Sequence, residues 1–242
     1  VCEAMTIQET GNQIEFLKNI RSKAKRLIVV ITSGSAIACP EVLDMADAVI
    51  YAWYPGEQGG LALGDLLFGK EIPSGRLPIT VPYSVDDLPP YEDYAMANRT
   101  YRYMEKEPLF PFGFGLSYTS FSYDELELSS HKVKTEQSLS LTGKITNTGQ
   151  YEGQEVVQLY LHPRGGKPIY SLKGFQRVRL MPGEEKEITF TLTPEMRKQV
   201  NEEGESVPVF GLIDVYVGGS LPSERSRDLG SPKWTEAVFE MK

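Results

Sequence analysis

The feature that most limits how these 242 residues can fold is a single change in hydrophobic period near residue 118. Upstream, apolar residues come in unbroken β-branched runs, Arg26-Leu27-Ile28-Val29-Val30-Ile31-Thr32 and Ala48-Val49-Ile50-Tyr51-Ala52-Trp53, a pattern expected of strands covered on both faces. Downstream they alternate. Leu139, Leu141 and Ile145, then Val157, Leu159 and Leu161, then Ile188, Phe190 and Leu192, then Ile213, Val215 and Val217 each fall on one face of a period-two strand. The turn signals Asn147-Thr148-Gly149 and Pro182-Gly183-Glu184 separate these strands, and regularly spaced short strands without helices predict an antiparallel sandwich of the immunoglobulin type.

The upstream runs are separated by helix signals. Asn12 and Glu15 imitate a capping box, and Phe16, Leu17, Ile20 and Ala24 fall on one stripe, which predicts a helix from Asn12 to Ala24. Pro40 followed by Glu41 starts a second, shorter helix, and a third runs from Gly59 to Phe68 and is closed by Gly69. Helix, strand, helix, strand and helix in succession predict an α/β domain with a mostly parallel sheet flanked by helices. From Ile72 to Pro90 prolines become dense, so Leu77 to Pro82 can be extended only at an edge, and a tyrosine-rich irregular connection reaches about Tyr118. The expected division is an α/β domain with its linker over 1-118 and an all-β sandwich over 119-242.

Composition narrows the class of partner. The longest aliphatic run, Leu27 to Ile31, is far below the ~18 apolar residues of a membrane span. A formal net charge of -8 argues against a nonspecific grip on nucleic-acid phosphates, which needs clustered Lys and Arg. Cys2 and Cys39 lack metal-ligand spacing and are expected as small buried hydrophobes, so neither a metal nor another cofactor is expected. His131 and His162 stand far apart without a serine-carboxylate constellation and are expected at the surface or in strands. The charge-rich stretch from Met196 to Glu205 is expected as a solvated face or a short helix with its loop. With no Met at position 1 and no signal peptide, the chain is expected to be cut from something longer on its N-terminal side, and its compartment, cytoplasmic or exported, is left open.

If the two upstream strands are parallel, Ser33-Gly34-Ser35 and Trp53-Tyr54-Pro55-Gly56 both leave at carboxyl ends, the edge where open α/β sheets place a ligand crevice. Gly56-Glu57-Gln58-Gly59-Gly60 matches neither GxGxxG nor the P-loop, and Glu57 stands where a phosphate would be repelled. A sugar fits the chemistry better, because an aromatic face stacks on a pyranose while polar groups bind hydroxyls. Trp53 is therefore a candidate substrate-binding residue. A buried Trp53 in a tight turn is the plainer alternative.

The motifs Trp53-x-Pro55-Gly56-x-x-Gly59-Gly60, Asp65-Leu66-Leu67-Phe68-Gly69, Pro73-Ser74-Gly75-Arg76-Leu77-Pro78 and Pro111-Phe112-Gly113-Phe114-Gly115-Leu116-Ser117-Tyr118 closely resemble the carboxyl-terminal portion of glycoside hydrolase family 3 enzymes, the β-glucosidase and β-xylosidase group. Asn147-Thr148-Gly149, Leu172-Lys173-Gly174-Phe175 and Pro182-Gly183-Glu184 resemble the fibronectin type III-like domain that often ends such enzymes. The resemblance implies retaining hydrolysis by two carboxyl groups ~5 to 5.5 Å apart, with the nucleophilic Asp on a preceding barrel that this sequence does not contain. It implies an acid/base Glu in a loop upstream of the first helix. Val1-Cys2-Glu3-Ala4 is similar to that stretch, which makes Glu3 the catalytic candidate, with Glu9 the alternative if the alignment slips. It implies that the Trp53 loop faces the sugar crevice or walls the interdomain contact. Arg99-Thr100-Tyr101-Arg102-Tyr103 corresponds to a linker packed on the α/β domain rather than to a nucleic-acid binder, given Glu92, Asp93, Glu105 and Glu107 around it.

The expected function is the non-barrel portion of a β-glycosidase acting on terminal β-linked glucose or a related sugar, inactive without its barrel. Its expected partners are a glycoside substrate and the missing N-terminal barrel, with homo-oligomerisation left open. The rival expectation is a stand-alone carbohydrate-binding or scaffolding module without chemistry. The reading frame upstream of Val1 discriminates between them.

Overall fold

A computed structural model describes residues 5-6, 12-201 and 203-242. Cys2, Glu3 and Glu9 lie outside the described residues. The first region opens with β1 (Met5–Thr6), α1 (Gln13–Arg21), β2 (Ile28–Ile31), β3 (Ile37–Ala38), α2 (Pro40–Met45), β4 (Ala48–Tyr51) and α3 (Gly59–Leu67). Among the described residues these four strands pair in parallel, β1 with β3 and β2 with β4, the latter in register from Ile28↔Ala48 to Ile31↔Tyr51.

Three expectations need correction here. Among the described residues the parallel strands form two separate two-stranded ladders rather than one mostly parallel sheet. β2 is covered on one face only. Val29, Ile31, Val49 and Tyr51 pack into the core, whereas Ile28 and Val30 remain 48% and 37% exposed, because successive side chains point to opposite faces and one face has no layer against it among the described residues. In α1 the Asn12 side chain makes no capping bond, and its backbone (φ -80°, ψ 24°) is not the extended conformation a capping side chain needs. The helix turns Ile14 and Leu17 toward the core and leaves Phe16 outside.

The other start and stop signals act locally. Pro40 occupies the first turn of α2, where its missing N–H costs nothing. Gly69 (φ 71°) follows the last turn of α3 in the left-handed conformation that commonly ends a helix. The Tyr118 hydroxyl, from the far end of the linker, donates at 2.9 Å to the Leu66 carbonyl, which also accepts from Gly69 N–H at 3.1 Å.

The irregular segment between α3 and the sandwich supplies half of the first core. Leu77, Val81, Leu109, Phe110 and Phe114 are buried with Ile31, Ile37, Cys39 and Val42. Its backbone closes through Val81 N–H to Phe110 O and Phe110 N–H to Val81 O, a single antiparallel bridge between prolines that permits no longer ladder. The segment also holds a one-turn helix, α4 (Thr100–Tyr103). Its Tyr101 ring stacks on Phe112 of the same linker at 4.2 Å and meets Tyr160 of β8 edge-on, so this stretch also packs against the sandwich.

The second region is a sandwich. One sheet has the order β10 (Glu185–Leu192), β7 (Leu139–Asn147), β5 (Phe121–Leu128). The other runs β6 (Lys132–Val133), β14 (Thr235–Met241), β13 (Gly211–Gly218), β8 (Gly153–Pro163), β9 (Ser171–Leu180), antiparallel except for the β6–β14 edge. The alternating residues read from the sequence, from Leu139 to Val217, fill the space between the sheets. A hairpin of β11 (Lys198–Val200) and β12 (Ser206–Pro208) and a short helix α5 (Glu224–Asp228) complete the order. Met196 to Glu205 is thus a 3-10 turn and a hairpin. Its Arg197 is buried, donating to the carbonyls of Lys134, Thr135, Gln137 and Thr193.

A buried polar seam joins the two regions. Arg76, from the Pro-Ser-Gly-Arg motif, donates to Glu155 of β8 at 2.6 Å and to the Gly219 carbonyl at 3.1 Å. Gln158 donates to the carbonyls of Gly113 and Gly219 at 3.0 and 2.7 Å, and the Tyr160 hydroxyl donates to Gln158 at 2.6 Å. Burial pushes the Glu155 carboxyl above the usual range, opposed by Arg76 and by the Val156 N–H.

Candidate functional site

The register of β2 with β4 fixes the geometry of the rim. Ile31 and Tyr51 are partners at the carboxyl ends of parallel strands, and Ala52 N–H to Ile31 O (2.9 Å) extends the pairing by one bond. The loops 32-36 and 52-58 therefore leave the same edge.

Trp53 sits at its centre with φ 54°, in the left-handed region that bulky residues rarely adopt and that costs about 1–3 kcal/mol. The strain is held by packing below it. Tyr51 lies 6.1 Å from the Trp53 ring and meets Phe110 edge-on at 5.7 Å, while its hydroxyl donates to Ile37 O at 2.5 Å. Burial pushes the Tyr51 phenol far above its ordinary range, and burial likewise raises the Cys39 thiol 3.8 Å from it. A buried thiol held in its neutral form is a packing group and not a nucleophile. That agrees with the reading of Cys39 as a small hydrophobe.

Trp53 is half-buried at the margin of this cluster. The next residue is the exposed one. The Tyr54 ring, 75% exposed, crosses to the neighbouring loop and lies over Gly34 so closely that a Cβ there would come within 2.7 Å of it. Gly59 similarly admits Pro55, whose Cγ would be 2.5 Å from a Cβ. The two glycine-bearing loops are thus held together by Tyr54, while Pro55 packs within its own loop against the start of α3. Tyr54 was not singled out from the sequence as a site residue, because its contact partner Gly34 lies on another loop.

The rim presents a partly open indole, an open phenol, Ser33 and Ser35, and the carboxylate and amide of Glu57 and Gln58. Such a set can stack on an apolar ring face and exchange hydrogen bonds with hydroxyl groups. Glu3 and Glu9 lie outside the described residues. Of the two histidines, exposed His131 contacts Val238 O at 3.0 Å and half-buried His162 contacts Ile169 O at 2.5 Å, both through Nδ1 and both within the sandwich as the sequence indicated.

Comparison with known proteins adds the family context. The Glycosyl hydrolase family 3 C-terminal domain matches residues 2-118, and the Fibronectin type III-like domain matches residues 155-221. A putative beta-xylosidase of Formosa agariphila is 35% identical over 220 residues, covering 89% of this chain and 29% of the relative. A beta-glucosidase of Bacteroides ovatus is 36% identical over 229 residues, covering 86% and 30% respectively. Among solved structures, the GH3 beta-glucosidase of Bifidobacterium adolescentis superimposes with a TM-score of 0.79 at 30% identity, over 95% of this chain and 35% of that one. The chain spans about 30% of the length of these two curated relatives.

Proposed function

Because this chain belongs to glycoside hydrolase family 3, carrying its C-terminal domain followed by a fibronectin type III-like domain, we propose that it works as the non-barrel portion of a retaining β-glycosidase that releases terminal β-linked glucose or a related sugar. The observation that carries this reading is the common rim. Trp53 and Tyr54 emerge from the same strand edge as Ser33-Gly34-Ser35, locked against that loop by the Tyr54–Gly34 contact. A saccharide placed on that rim meets aromatic faces from one side and is free on the other for a catalytic barrel.

In this reading the barrel supplies the nucleophilic carboxylate. This chain supplies the acid/base, Glu3 with Glu9 as its alternative, and Trp53 as a wall of the sugar site. Protonation of the departing oxygen needs an acid whose pKa is raised by a dry pocket and a neighbouring carboxylate, and both conditions arise only when the two parts meet. The chain alone is then catalytically silent. Exposed Ile28, Val30, Leu61 and Phe68 support this, since they are apolar surface that the remaining length of such an enzyme can bury. We place the division at 118/119 and take the two parallel ladders as parts of one mostly parallel sheet flanked by helices.

The test is turnover of an aryl β-glucoside by the purified chain and by the full-length parent. The expected result is no hydrolysis by the chain, and hydrolysis by the parent that falls at least 100-fold with Glu3→Gln. Trp53→Ala in the parent should raise KM more than it lowers kcat. Hydrolysis by the isolated chain that survives Glu3→Gln and Glu9→Gln overturns the proposal.

A further inference from the structure

The outer face of the five-stranded sheet carries a row of aromatic side chains that the sandwich core does not use. On β8 and β13 the inward residues are Leu159, Leu161, Ile213, Val215 and Val217, so His162, Asp214 and Tyr216 point to the opposite side. Tyr160 on that side is buried against the Tyr101 ring of the linker, whereas His162 and Tyr216 are only half-buried. The His162 ring lies 5.3 Å from Tyr170, Tyr170 lies 6.0 Å from Tyr216, and Tyr216 lies 6.3 Å from Trp234, measured between centroids. Four rings from separate stretches of chain thus make one continuous series of contacts across β8, β13 and the approaches to β9 and β14. All four are half-buried.

The row is held in place. Tyr216 stands edge-on to both Tyr170 and Trp234, at interplanar angles of 68° and 84°. The Trp234 indole N–H donates to Glu236 at 3.2 Å, and a Cβ on Gly218 would come within 2.9 Å of the Trp234 Cβ, so the close approach here requires glycine. Burial, then Asp214, raises the phenols of Tyr170 and Tyr216, the latter to about 12, so both stay protonated and able to donate. Polar groups are interleaved with the rings. Asp214 is the cross-strand neighbour of His162 and is gripped by both Nε and Nη2 of Arg164, and exposed Glu236 is the cross-strand neighbour of Tyr216.

That mixture narrows the occupant. The carboxylates of Asp214 and Glu236 repel the phosphates of a nucleic acid. Four half-buried rings expose far less than the roughly 800 Å² per partner of a standard protein interface. A chain of sugars is as narrow as the row, turns C–H faces to the rings and offers hydroxyls to the groups beside them. We propose that His162, Tyr170, Tyr216 and Trp234 form a docking strip for a β-1,4-linked glucan chain. In that polymer every ring hydroxyl is equatorial, which leaves the pyranose faces apolar, and the separations between successive rings of the strip are comparable with its glucose repeat. Its hydroxymethyl groups add donors and acceptors at the edge, for Arg164, Asp214 and Glu236, that a xylan lacks. Rings already packed on one another lose little freedom when the sugar arrives. The strip uses no residue of the Trp53 rim, so its occupancy is independent of the glycosidase reading.

The experiment is a calorimetric titration of this chain with cellohexaose, xylohexaose, maltohexaose and glucose. The expected result is saturable binding of cellohexaose, tighter than that of the other three, and weakened at least tenfold in Trp234→Ala and at least threefold in Tyr170→Ala. Tyr151→Ala, at an exposed aromatic on the turn before β8, should leave the affinity unchanged. The chain has two tryptophans, so Trp53→Phe leaves Trp234 as the sole indole, and its emission should shift on saturation with cellohexaose. That readout decides if Trp234→Ala does not fold, an emission indifferent to cellohexaose then overturning the proposal. Affinity that survives Trp234→Ala and falls in Trp53→Ala puts the sugar on the rim, which overturns the docking strip and leaves the glycosidase reading intact. Absence of saturation, or binding of xylohexaose or maltohexaose as tight as that of cellohexaose, overturns it as well. So does a concentration-dependent dimer abolished by Tyr170→Ala, which would assign the strip to a second copy of the chain.

Discussion

The sandwich holds Phe239 and Ile145 at 1% and 0% exposure, whereas the α/β region leaves Leu61 at 62% and Phe68 at 84%. Both regions have about the same kind of apolar residues, so the difference lies in how many layers each element meets. Two facing sheets cover one another's inner faces and leave the alternate residues to water. A parallel strand such as β2 needs a layer on each side, and α3, apolar on most of its circumference, needs more than one neighbour. The sandwich is closed within the chain. Among the described residues the α/β region is closed on one side only, through the linker residues Leu77 to Phe114.

That contrast is broken most directly by paired deletions. Phe239→Ala should lower the stability to urea by about 3–5 kcal/mol, the usual cost of emptying a phenylalanine site in a packed core. Phe68→Ala, at the open end of α3, should stay within about 0.5 kcal/mol of the parent. Comparable losses at the two positions, measured by urea denaturation, would show that Phe68 is covered in solution and remove the asymmetry.

The seam between the regions comes next. Replacing Glu155 by Leu strands the Arg76 guanidinium, which is 8% exposed at its side chain, and should cost about 3 kcal/mol. Arg76→Met together with Glu155→Leu should recover most of that loss, because no charge is then left buried. The pH dependence sharpens the test. The Glu155 carboxyl has its folded pKa raised by burial, so its contribution is fully present below the unfolded carboxylate pKa and is lost as pH rises through the folded value. Asp87, lowered by Lys106, and Glu184, lowered by the Met181 N–H, have the opposite slope, their contributions being lost as pH falls. The difference in Tm between the parent and Glu155→Gln, followed from acid to neutral pH, isolates the Glu155 term. A difference that does not change in the parent's disfavour as pH rises contradicts the assignment.

A smaller effect is expected at Tyr160→Phe, which removes the buried hydroxyl that donates to Gln158 Oε1 while keeping the ring against Tyr101. The loss should be about 1 kcal/mol in urea denaturation, with no change in the cooperativity of unfolding, because Gln158 still bridges to Gly113 and Gly219. A separate early transition in this variant would mean that the seam is weaker than its hydrogen bonds suggest.

The same contrast explains what could be read from the sequence. The sandwich strands were legible because every inward residue from Leu139 to Val217 repeats at period two, and the parallel strands because their runs are β-branched. Glu155 carried a readable signal, a carboxylate on the inward parity of Val157, Leu159 and Leu161, but its partner Arg76 is 79 residues away. Arg197 carried none. Three of its four carbonyl partners, Lys134, Thr135 and Gln137, come from another turn of the chain, and a lone cation in a charged stretch looks the same whether solvated or buried. The linker core escaped for a related reason, since Leu77, Val81, Leu109, Phe110 and Phe114 follow no period and are buried only by tertiary contact. At the rim, glycines and aromatics announced a close approach, whereas the pairing of Tyr54 with Gly34 depended on the register of β2 with β4.

The mildest substitution tests whether α3 is held by packing or by its own backbone. Gly64 lies inside the helix, and a Cβ there would have nothing within 4 Å. Alanine restricts the unfolded chain and favours helix, so Gly64→Ala should stabilise the protein by about 0.5–1 kcal/mol. At Gly113 the opposite holds, with φ 75° and a Cβ that would fall 2.1 Å from Gln158 Oε1, so that alanine there must push the seam apart. If Gly64→Ala instead destabilises the fold in thermal melts, the space beside α3 is occupied in solution. The α/β region would then be as closed as the sandwich.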